Sequence, residues 1–549
     1  MANIFGIGQS ALLAAQTGLS TTGHNIANAA TPGFSRQAVT QTTATPQQTG
    51  VGFIGGGTQV IAVRRLYNEQ LGQQVLSAQS AKSALSSYYS QISRIDNLLA
   101  DPAAGLSPAL QDFFKGMQDL AGNPASAPAR QSALSAAETL ASRFQSMDGQ
   151  FNELRRNVNS EITASVSSIN FYAGQIAQLN NTILSSQAGS DGKAASDLLD
   201  QRDQLIADLS KETRVSVVKQ DGNYNIFIGS GQPLVLGAQT FTMVAQPAVT
   251  DPGRLVVGFL SNGTTTLLAE NSLPGGRLGG SLDFRSNTLD PAQASLGSLA
   301  TTLASTFNAQ HRLGQDLNGN LGGDFFTMSG NAASGLRVAI SDTAVIAVAA
   351  PVRTAAPSAN TGSGRISAGV VDASYPAAPL TAPVTLIYDA VTNTLDTNPS
   401  GGVAGFPQPY SSGQTIGFGG ISFAISGVPG DQDQFTVSPN SNGIGDNRNA
   451  LLLGALQTAS TMNGGTTNFQ GSYAQLVNLV GNKTRELDVT SRAEGQLLAQ
   501  AIQAQQSVSG VNLDEEATNL LRYQQAYQAA GKVMQVADEM FDVVLSLGR

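Results

Sequence analysis

Apolar residues recur at every seventh position in two segments of this sequence that lie about 500 residues apart. In the first segment they are Phe5, Leu12, Leu19 and Ile26, and in the second they are Leu513, Leu520, Tyr527, Met534 and Phe541. Small or apolar residues fill the half-steps, among them Gly8, Ala15, Ala530 and Ala537. A seven-residue apolar repeat predicts a helix with a narrow stripe that needs a partner helix. We therefore expect the two helices to pair with each other or with copies of themselves.

The two segments also carry opposite charge. Residues 1–68 sum to +3, from Arg36, Arg64 and Arg65 with no acidic residue, and residues 505–549 sum to −3, from six acidic and three basic residues. Opposite charge favours contact between the two ends, although salt screens the attraction. The heptad pattern itself favours helix packing between copies of the chain over packing within one chain.

Composition narrows the function classes. A chain of 549 residues is long enough for about three domains. The net charge is −9 and there is no basic run, which argues against a nucleic-acid surface. The absence of cysteine excludes disulfides, thiolate metal sites and thiol nucleophiles. No apolar run approaches the roughly 18 residues of a membrane span. The first basic residue is Arg36, so we expect no cleaved secretory signal.

Helical periodicity dominates the first 212 residues. We predict helices to about Asn28, over 66–100, from Ser107-Pro108, over about 130–186, and over Ser196–Glu212. Ser107 is the predicted cap of the third helix, with Pro108 in its first position. A glycine-containing turn at Gly189–Gly192 should fold the fifth helix back on the fourth.

The pattern then changes to strands. Asp221-Gly222 between two β-prone stretches predicts a hairpin, and strand-like segments continue to about Phe284. A helix is expected at Pro291–Arg312. Residues 330–440 hold ten of the 21 prolines, with no lysine and no glutamate, which is typical of an inserted β domain. Helix resumes near Asn449.

Together these segments predict a mainly α fold with β-rich parts, discontinuous and multidomain. Residues 1–65 and 505–549 are predicted to form a core domain of paired, coiled-coil-like helices. Residues 66–329 and 441–504 form a long helical bundle, the rod domain, with a β sub-region at 213–287. Residues 330–440 form an inserted β-rich outer domain.

Patterns that could carry chemistry have a structural interpretation here. His24 and His311 have no partner at metal-ligand spacing. The glycines at 52–57 are not spaced as a dinucleotide loop requires. Asp316-x-Asn318-Gly319-Asn320 is similar to the start of a calcium loop. However, Leu321 stands where that loop needs glycine and Thr327 where it needs its closing carboxylate, so we expect a turn. Asn512 and the acidic residues Asp514, Glu515 and Glu516 are typical of a helix start. We predict no catalytic, cofactor-binding or metal site.

One short motif points to a family. Asn25, Asn28, Thr31, Pro32, Gly33, Phe34, Ser35 and Arg36 stand in the run NIANAATPGFSRQ. This run resembles the signature of the bacterial flagellar rod, hook and hook-associated proteins, and its ending is similar to that of the hook-associated protein 1 family in particular. DLLDQRDQLIADL at 197–209, the segment at 307–326 and the segment at 509–541 resemble parts of the same family.

The resemblance implies a structural subunit of the bacterial flagellum, located outside the cell at the hook–filament junction and exported without a cleaved signal peptide. The implied partners are copies of the chain itself, hook protein, hook-associated protein 3 and an export chaperone on the last helix; neither nucleic acid nor a membrane span is implied. The two heptad stripes are the predicted assembly interface. Two alternatives remain: another flagellar axial protein such as a hook or rod protein, or a secreted adhesin or enzyme that acts through residues 330–440.

Overall fold

The computed structural model describes residues 2–50, 52–101, 105–188, 195–220, 223–261 and 263–547. Within these residues the α-helices are α1 (Ala2–Ala27), α2 (Glu69–Ala100), α3 (Leu106–Gly122), α4 (Ala127–Ala188), α5 (Ser196–Glu212), α6 (Gly276–Phe284), α7 (Asp290–His311), α8 (Arg448–Ala455), α9 (Phe469–Ser509) and α10 (Leu513–Leu547).

The strands fall into three stretches of sequence. The first holds β1 (Gln37–Thr43), β2 (Gln47–Thr49), β3 (Gly52–Ile54) and β4 (Thr58–Arg65). The second holds β5 (Val215–Gln220), β6 (Asn223–Ile228), β7 (Gln232–Leu236), β8 (Gln239–Thr240), β9 (Thr242–Pro247), β10 (Leu255–Ser261) and β11 (Thr264–Leu267). The third holds β12 (Phe326–Met328), β13 (Leu336–Val338), β14 (Val352–Ala355), β15 (Arg365–Ile366), β16 (Val370–Val371), β17 (Val384–Asp389), β18 (Thr394–Asn398), β19 (Gln408–Pro409), β20 (Thr415–Phe418), β21 (Ile421–Ser426) and β22 (Gln434–Pro439).

Most predicted helices have nearly the predicted bounds. α5 begins and ends at the predicted residues, and α4 exceeds the predicted range by three residues at its start and two at its end. The long apolar stripe of α4 explains its persistence: Leu140, Phe144, Phe151 and Val158 are all buried, and the segment contains no proline after its second residue.

The predicted start of α3 is wrong. α3 begins at Leu106 with Gly105 in the cap position, where no side chain supplies a cap hydrogen bond. Ser107 and Pro108 lie inside the first turn instead. Proline is tolerated there because the first N–H groups of a helix have no partner within the helix.

The predicted hairpin after α5 pairs as expected. β5 and β6 are antiparallel, with Gln220 opposite Asn223, so the connection has two residues. Those two residues, Asp221 and Gly222, lie outside the described part of the chain, as do the residues of the predicted turn at Gly189–Gly192. β5 to β8 form one four-stranded sheet and β9 to β11 form a three-stranded sheet.

The chain divides into two compact units. The first comprises residues 1–91, 155–286 and 484–549. The second comprises residues 92–154 and 287–483. The first contains the α1–α10 pair and both β sheets of the 215–267 stretch. The predicted boundaries at 65, 329, 440 and 504 divide the chain into three domains and do not coincide with the limits of these two units. The three predicted domains stay a prediction.

An aromatic cluster forms part of the core of the second unit. Phe113 and Phe307 have ring centroids 5.2 Å apart, and Phe325 and Phe326 complete the cluster. His311 lies against Phe325 and is fully buried. Its Nδ1 lies 2.8 Å from the Gly323 carbonyl oxygen, while its Nε2 accepts a hydrogen bond from the Ala347 amide. This pair of contacts is satisfied only by the neutral ring with its proton on Nδ1.

The second unit also holds the β-rich stretch with its own apolar core. A five-stranded sheet has the order β14-β22-β17-β18-β19, and β21 is bonded to β15, β16 and β20. Their buried side chains include Val352, Leu386, Leu395, Ile425, Phe435 and Val437. The two ends of this stretch meet, because the Asn440 amide donates to the Pro351 carbonyl oxygen at 3.0 Å.

The predicted fold class, mainly α with β-rich parts, is confirmed. None of the helices in the described ranges is long and apolar enough to cross a membrane.

Candidate assembly surface

α1 and α10 pack against each other as an antiparallel pair, and small residues make the close contact. A Cβ atom on Gly18 would lie 2.5 Å from the Tyr523 ring, and one on Gly8 would lie 2.8 Å from the Met534 sulfur atom. Ala15, Ala530 and Ala537 are buried. The helices can approach this closely only because the contact positions hold glycine and alanine, with Gly8, Ala15, Ala530 and Ala537 at half-steps and Gly18 next to the stripe position Leu19.

Of the predicted stripe residues, Met534 takes part in this contact opposite Gly8. Phe5, Leu12, Leu19 and Met534 are half-buried, whereas Ile26, Leu513, Leu520, Tyr527 and Phe541 are exposed. The expected pairing of the two end helices occurs within one chain. That the stripe residues form the interface between copies stays a prediction.

Pairing leaves much apolar surface uncovered on α10. The exposed large apolar residues of this helix include Leu513, Leu520, Leu521, Tyr527, Val533, Val536, Met540, Phe541, Val543, Val544 and Leu545. A helix that is exposed and apolar over this length marks an interaction site.

The family-like motif binds the end of α1 to the start of α10. Asn25 is 1% exposed, and its side-chain amide exchanges two hydrogen bonds with the backbone of Gln37, both of 2.9 Å. The same amide nitrogen donates to the Glu516 carboxylate at 3.2 Å. An asparagine at this position satisfies three groups at once, and a carboxylate could not donate.

Arg36 holds the same junction from the other side. Its guanidinium donates to Glu516 at 2.8 Å and to Glu515 at 2.6 Å, and its backbone amide donates to the Ser509 carbonyl oxygen at 2.8 Å. Burial alone would lower the pKa of the Arg36 guanidinium, but the hydrogen bonds and negative charges of Glu515 and Glu516 raise that pKa above its ordinary value. Arg36 is therefore charged at every pH at which the protein folds.

A second charge cluster connects the motif to α5. The Ser35 amide donates to Asp200 at 3.0 Å. Arg65 at the end of β4 donates to Asp200 at 2.9 Å and to Asp203 at 2.7 Å. Burial would lower the pKa of Arg65, yet the charges of Asp203 and Asp200 raise it. Side chains of this cluster are mostly buried, so the ion pairs are little screened.

The remaining residues of the motif lie at the end of α1 and in the loop between α1 and β1. His24 lies 3.1 Å from Asp197 and packs edge-on against the half-buried Phe34 ring. Asn28 donates to the His24 carbonyl oxygen at 3.1 Å, and the Thr31 hydroxyl donates to Asn28 at 3.2 Å.

Pro32 and Gly33 form the turn at the tip of the loop. Gly33 has φ of +79°, and a Cβ atom there would lie 2.7 Å from the Gln204 side-chain oxygen of α5. Both the backbone angle and the close approach require glycine. The structure thus gathers the motif into one intrachain junction of α1, α5, α9 and α10.

Sequence reasoning missed the acidic half of this junction. The predicted helix start is present, since the Asn512 side chain accepts from the Asp514 and Glu515 amides at 3.0 and 3.4 Å. The carboxylates of Glu515 and Glu516, however, also bind Arg36. The opposite net charges of the two ends were the available signal.

The calcium-loop-like segment at Asp316 forms a turn. Asp316 accepts hydrogen bonds from the Asn318 and Asn320 amides at 2.9 and 2.8 Å, which closes a turn of the predicted kind. Among the described residues, no group of three or more His, Cys, Asp or Glu side chains is placed to hold a metal ion.

Three family models match this chain. Residues 92–326 match the helical domain of flagellar hook-associated protein FlgK. Residues 502–547 match the C-terminal model of the flagellar basal body rod FlgEFG proteins, and residues 5–34 match the flagella basal body rod protein model.

This chain is also similar to complete flagellar proteins over most or all of its length. Flagellar hook-associated protein 1 of Escherichia coli is 34% identical, with all of both chains covered. Flagellar hook-associated protein 1 of Bacillus subtilis is 26% identical over 98% of this chain and 96% of its own. The solved structure of the flagellar hook junction protein FlgK from Burkholderia pseudomallei is 33% identical and covers 80% of this chain and 100% of its own, with a TM-score of 0.73.

Proposed function

This chain belongs to the flagellar hook-associated protein 1 family, and from that membership we propose that it is a structural subunit of the bacterial flagellum that forms the junction layer between hook and filament. The family resemblance in the NIANAATPGFSRQ motif is thereby confirmed.

The observation that carries the proposal is the α1–α10 pair. Small residues bury the intrachain contact, so the larger apolar residues on both helices stay available for copies of the same chain. Helix stripes that repeat around a ring or tube make many equivalent contacts, and their combined strength exceeds that of any single contact. The proposed mechanism is mechanical: this layer joins two tubes of different subunits and needs no catalytic residue.

The proposed partners follow from that position. Copies of the chain lie beside each subunit, hook protein lies on one side and hook-associated protein 3 on the other. An export chaperone covers the exposed apolar face of α10 before export, since an uncovered face of this size favours aggregation in the cytoplasm. The finished layer lies outside the cell.

The test replaces two exposed stripe residues. Leu520→Asp together with Tyr527→Asp places carboxylates in the proposed interface, where an unpaired buried charge costs several kcal/mol. The matched control is Val391→Asp with Val428→Asp, which puts the same charges on exposed residues of the β-rich stretch. We expect the first variant to make hooks, to release filament protein into the medium and to carry almost no filaments.

The control should carry filaments in normal number. Normal filaments on cells with the Leu520 and Tyr527 variant would overturn the proposed interface, and absence of the wild-type protein from purified hook–filament preparations would overturn the proposed location.

A further inference from the structure

A β ribbon with no charge between residues 37 and 63 lies on α1. β1 and β4 are antiparallel, with Val39 opposite Val63, and β2 and β3 form the tip. The ribbon is anchored at Ser10 of α1, whose hydroxyl accepts a hydrogen bond from the Thr58 amide at 3.2 Å. Residues 37–63 contain no charged side chain.

The ribbon exposes apolar side chains and unpaired strand edges. Phe53 is 75% exposed, and Ile54, Ile61, Val63 and Leu66 are also exposed. Neither β1 nor β4 bonds to a third strand in the described part of the chain. Exposed edge strands usually carry charges or proline that prevent pairing with other chains. Apart from Pro46 and from Arg64 and Arg65 at the end of β4, the ribbon lacks such residues, so its exposed apolar side chains are suited to contact with another molecule.

One positive charge at the base of the ribbon has no ion-pair partner in the part of the chain that the structure describes. Of the three arginines in residues 1–68, Arg36 and Arg65 bind carboxylates of their own chain. Arg64 is exposed and, within the described ranges, makes neither an ion pair nor a side-chain hydrogen bond. It points to the opposite side of the strand from Val63, but β4 has a free edge, and a partner lying along that edge reaches both side chains.

The last third of α10 has complementary chemistry. Val536, Met540 and Val543 are exposed and follow one another at steps of four and three, so they lie on one side of the helix. Glu539 lies on the same side and accepts one hydrogen bond, from Gln535 at 3.3 Å. Asp542 is exposed nearby and has no ion pair among the described residues.

We propose that the β4 edge of the ribbon in one subunit docks on the Val536–Met540–Val543 side of α10 in a second copy of this chain. Ile61 and Val63 pack against the apolar side chains, and Arg64 binds Glu539. The occupant is a second copy because the unpaired positive charge and the unpaired negative charges are both on this chain, each beside exposed apolar residues. The proposal rests on the assembly of copies in the junction layer. It uses a different side of α10 from the stripe that contains Leu520 and Tyr527.

Charge reversal tests the pair. Arg64→Glu and Glu539→Lys each replace an exposed side chain, so each variant should fold. We expect each to lower filament number per cell by about fivefold or more, because the repulsion recurs at every subunit contact. The double variant should return to within about twofold of wild type. The control Arg353→Glu, at an exposed arginine of β14, should leave filament number unchanged.

Two results would overturn the proposal. Single variants that match the Arg353 control would show that these charges do not meet across subunits. A double variant no better than the single variants would show that Arg64 acts elsewhere.

Cross-linking gives an independent readout, since the natural chain has no cysteine. A chain with Ile61→Cys and Met540→Cys, in purified hook–filament preparations treated with an oxidant, should form a ladder of linked copies. The control pair Ile61→Cys and Val391→Cys should form none.

The outcomes separate this inference from the proposed function. Chains present in the preparations without a ladder, or linked to a different protein, would contradict the ribbon contact alone. Chains missing from the preparations even without substitution would contradict the junction role itself.

Discussion

At the residue scale, a few polar side chains fix the positions of whole elements. Asn25 and Arg36 both bind Glu516, a carboxylate that is 2% exposed. A buried charge is tolerated only where it is paired and hydrogen-bonded, so these three residues depend on one another. The motif thus fixes the orientation of the α1–α10 pair relative to α5 and to the end of α9.

His311 gives a pH-dependent prediction at this scale. Burial lowers the pKa of His311 below its ordinary value. The unfolded chain then binds a proton that the folded chain excludes, so the free energy of unfolding falls as pH drops below about 6.5. We expect the calorimetric midpoint temperature of wild type to fall between about pH 7 and pH 5 more steeply than that of His311→Gln. Equal slopes for both proteins would show that His311 is not the responsible group.

At the element scale, the α1–α10 pair depends on two glycines rather than on its largest apolar residues. Helices at close distance bury backbone atoms as well as side chains, and any added Cβ must displace a neighbour. Gly8 and Gly18 are the two contacts of this kind between α1 and α10 in the described residues, and both face large side chains of α10.

A matched pair of substitutions tests this. Gly18→Val should weaken the pair by about 1–3 kcal/mol, because the new side chain overlaps the Tyr523 ring. Gly23→Val adds the same side chain to the same helix, at a position with no atom within 4 Å. We expect filaments sheared from the Gly18 variant at lower force, with the Gly23 variant close to wild type. Equal shear resistance of the two variants would contradict the close-contact role of Gly18.

At the scale of the whole molecule, the contacts of residues 343–347 bear on where the β-rich stretch of the second unit can be removed. Residues before Pro351 complete the core of the second unit. The buried Arg130 guanidinium donates to the Thr343 and Ile346 carbonyl oxygens at 3.0 and 2.9 Å, and Ala347 donates to His311.

Two deletions should therefore behave differently. Replacing residues 352–439 with a short Gly/Ser linker keeps these contacts and joins chain ends that already meet at Pro351 and Asn440. We expect this protein to fold, to be exported and to hold filaments in near-normal number. Replacing 330–440 removes the Thr343 and Ile346 carbonyl acceptors of the buried Arg130 and the Ala347 donor to His311, at a cost of several kcal/mol, and should prevent export. Circular dichroism, secreted protein and filament number are the measurements.

The shorter deletion also tests the alternative interpretation of the β-rich stretch. A folded and exported protein that holds no filament would show that this stretch, and not only the α1–α10 pair, carries the junction.

Local periodicity was sufficient to predict most of the helices, because it is a property of neighbouring residues. The predicted strands up to about Phe284 are wrong after Leu267, because Gly276–Phe284 form α6, in which packing buries Leu278 and Leu282 one turn apart. α5 has the predicted bounds, the hairpin strands pair as expected, and the heptads at both ends predicted a helix pair. The NIANAATPGFSRQ motif was sufficient to indicate the family. The side chains that meet across hundreds of residues became known from the folded structure.

Contacts between residues that are far apart in the sequence are hard to predict from the local apolar pattern. Arg36 and Glu516, or Gly18 and Tyr523, meet because the chain returns to its starting point after forming all its other elements. The apolar pattern predicts that a side chain packs against another element, but it does not predict which element that is. The heptad pattern predicts contact for the large stripe residues, whereas the close packing within the chain uses small residues, because two helices approach closely only where the side chains between them are small.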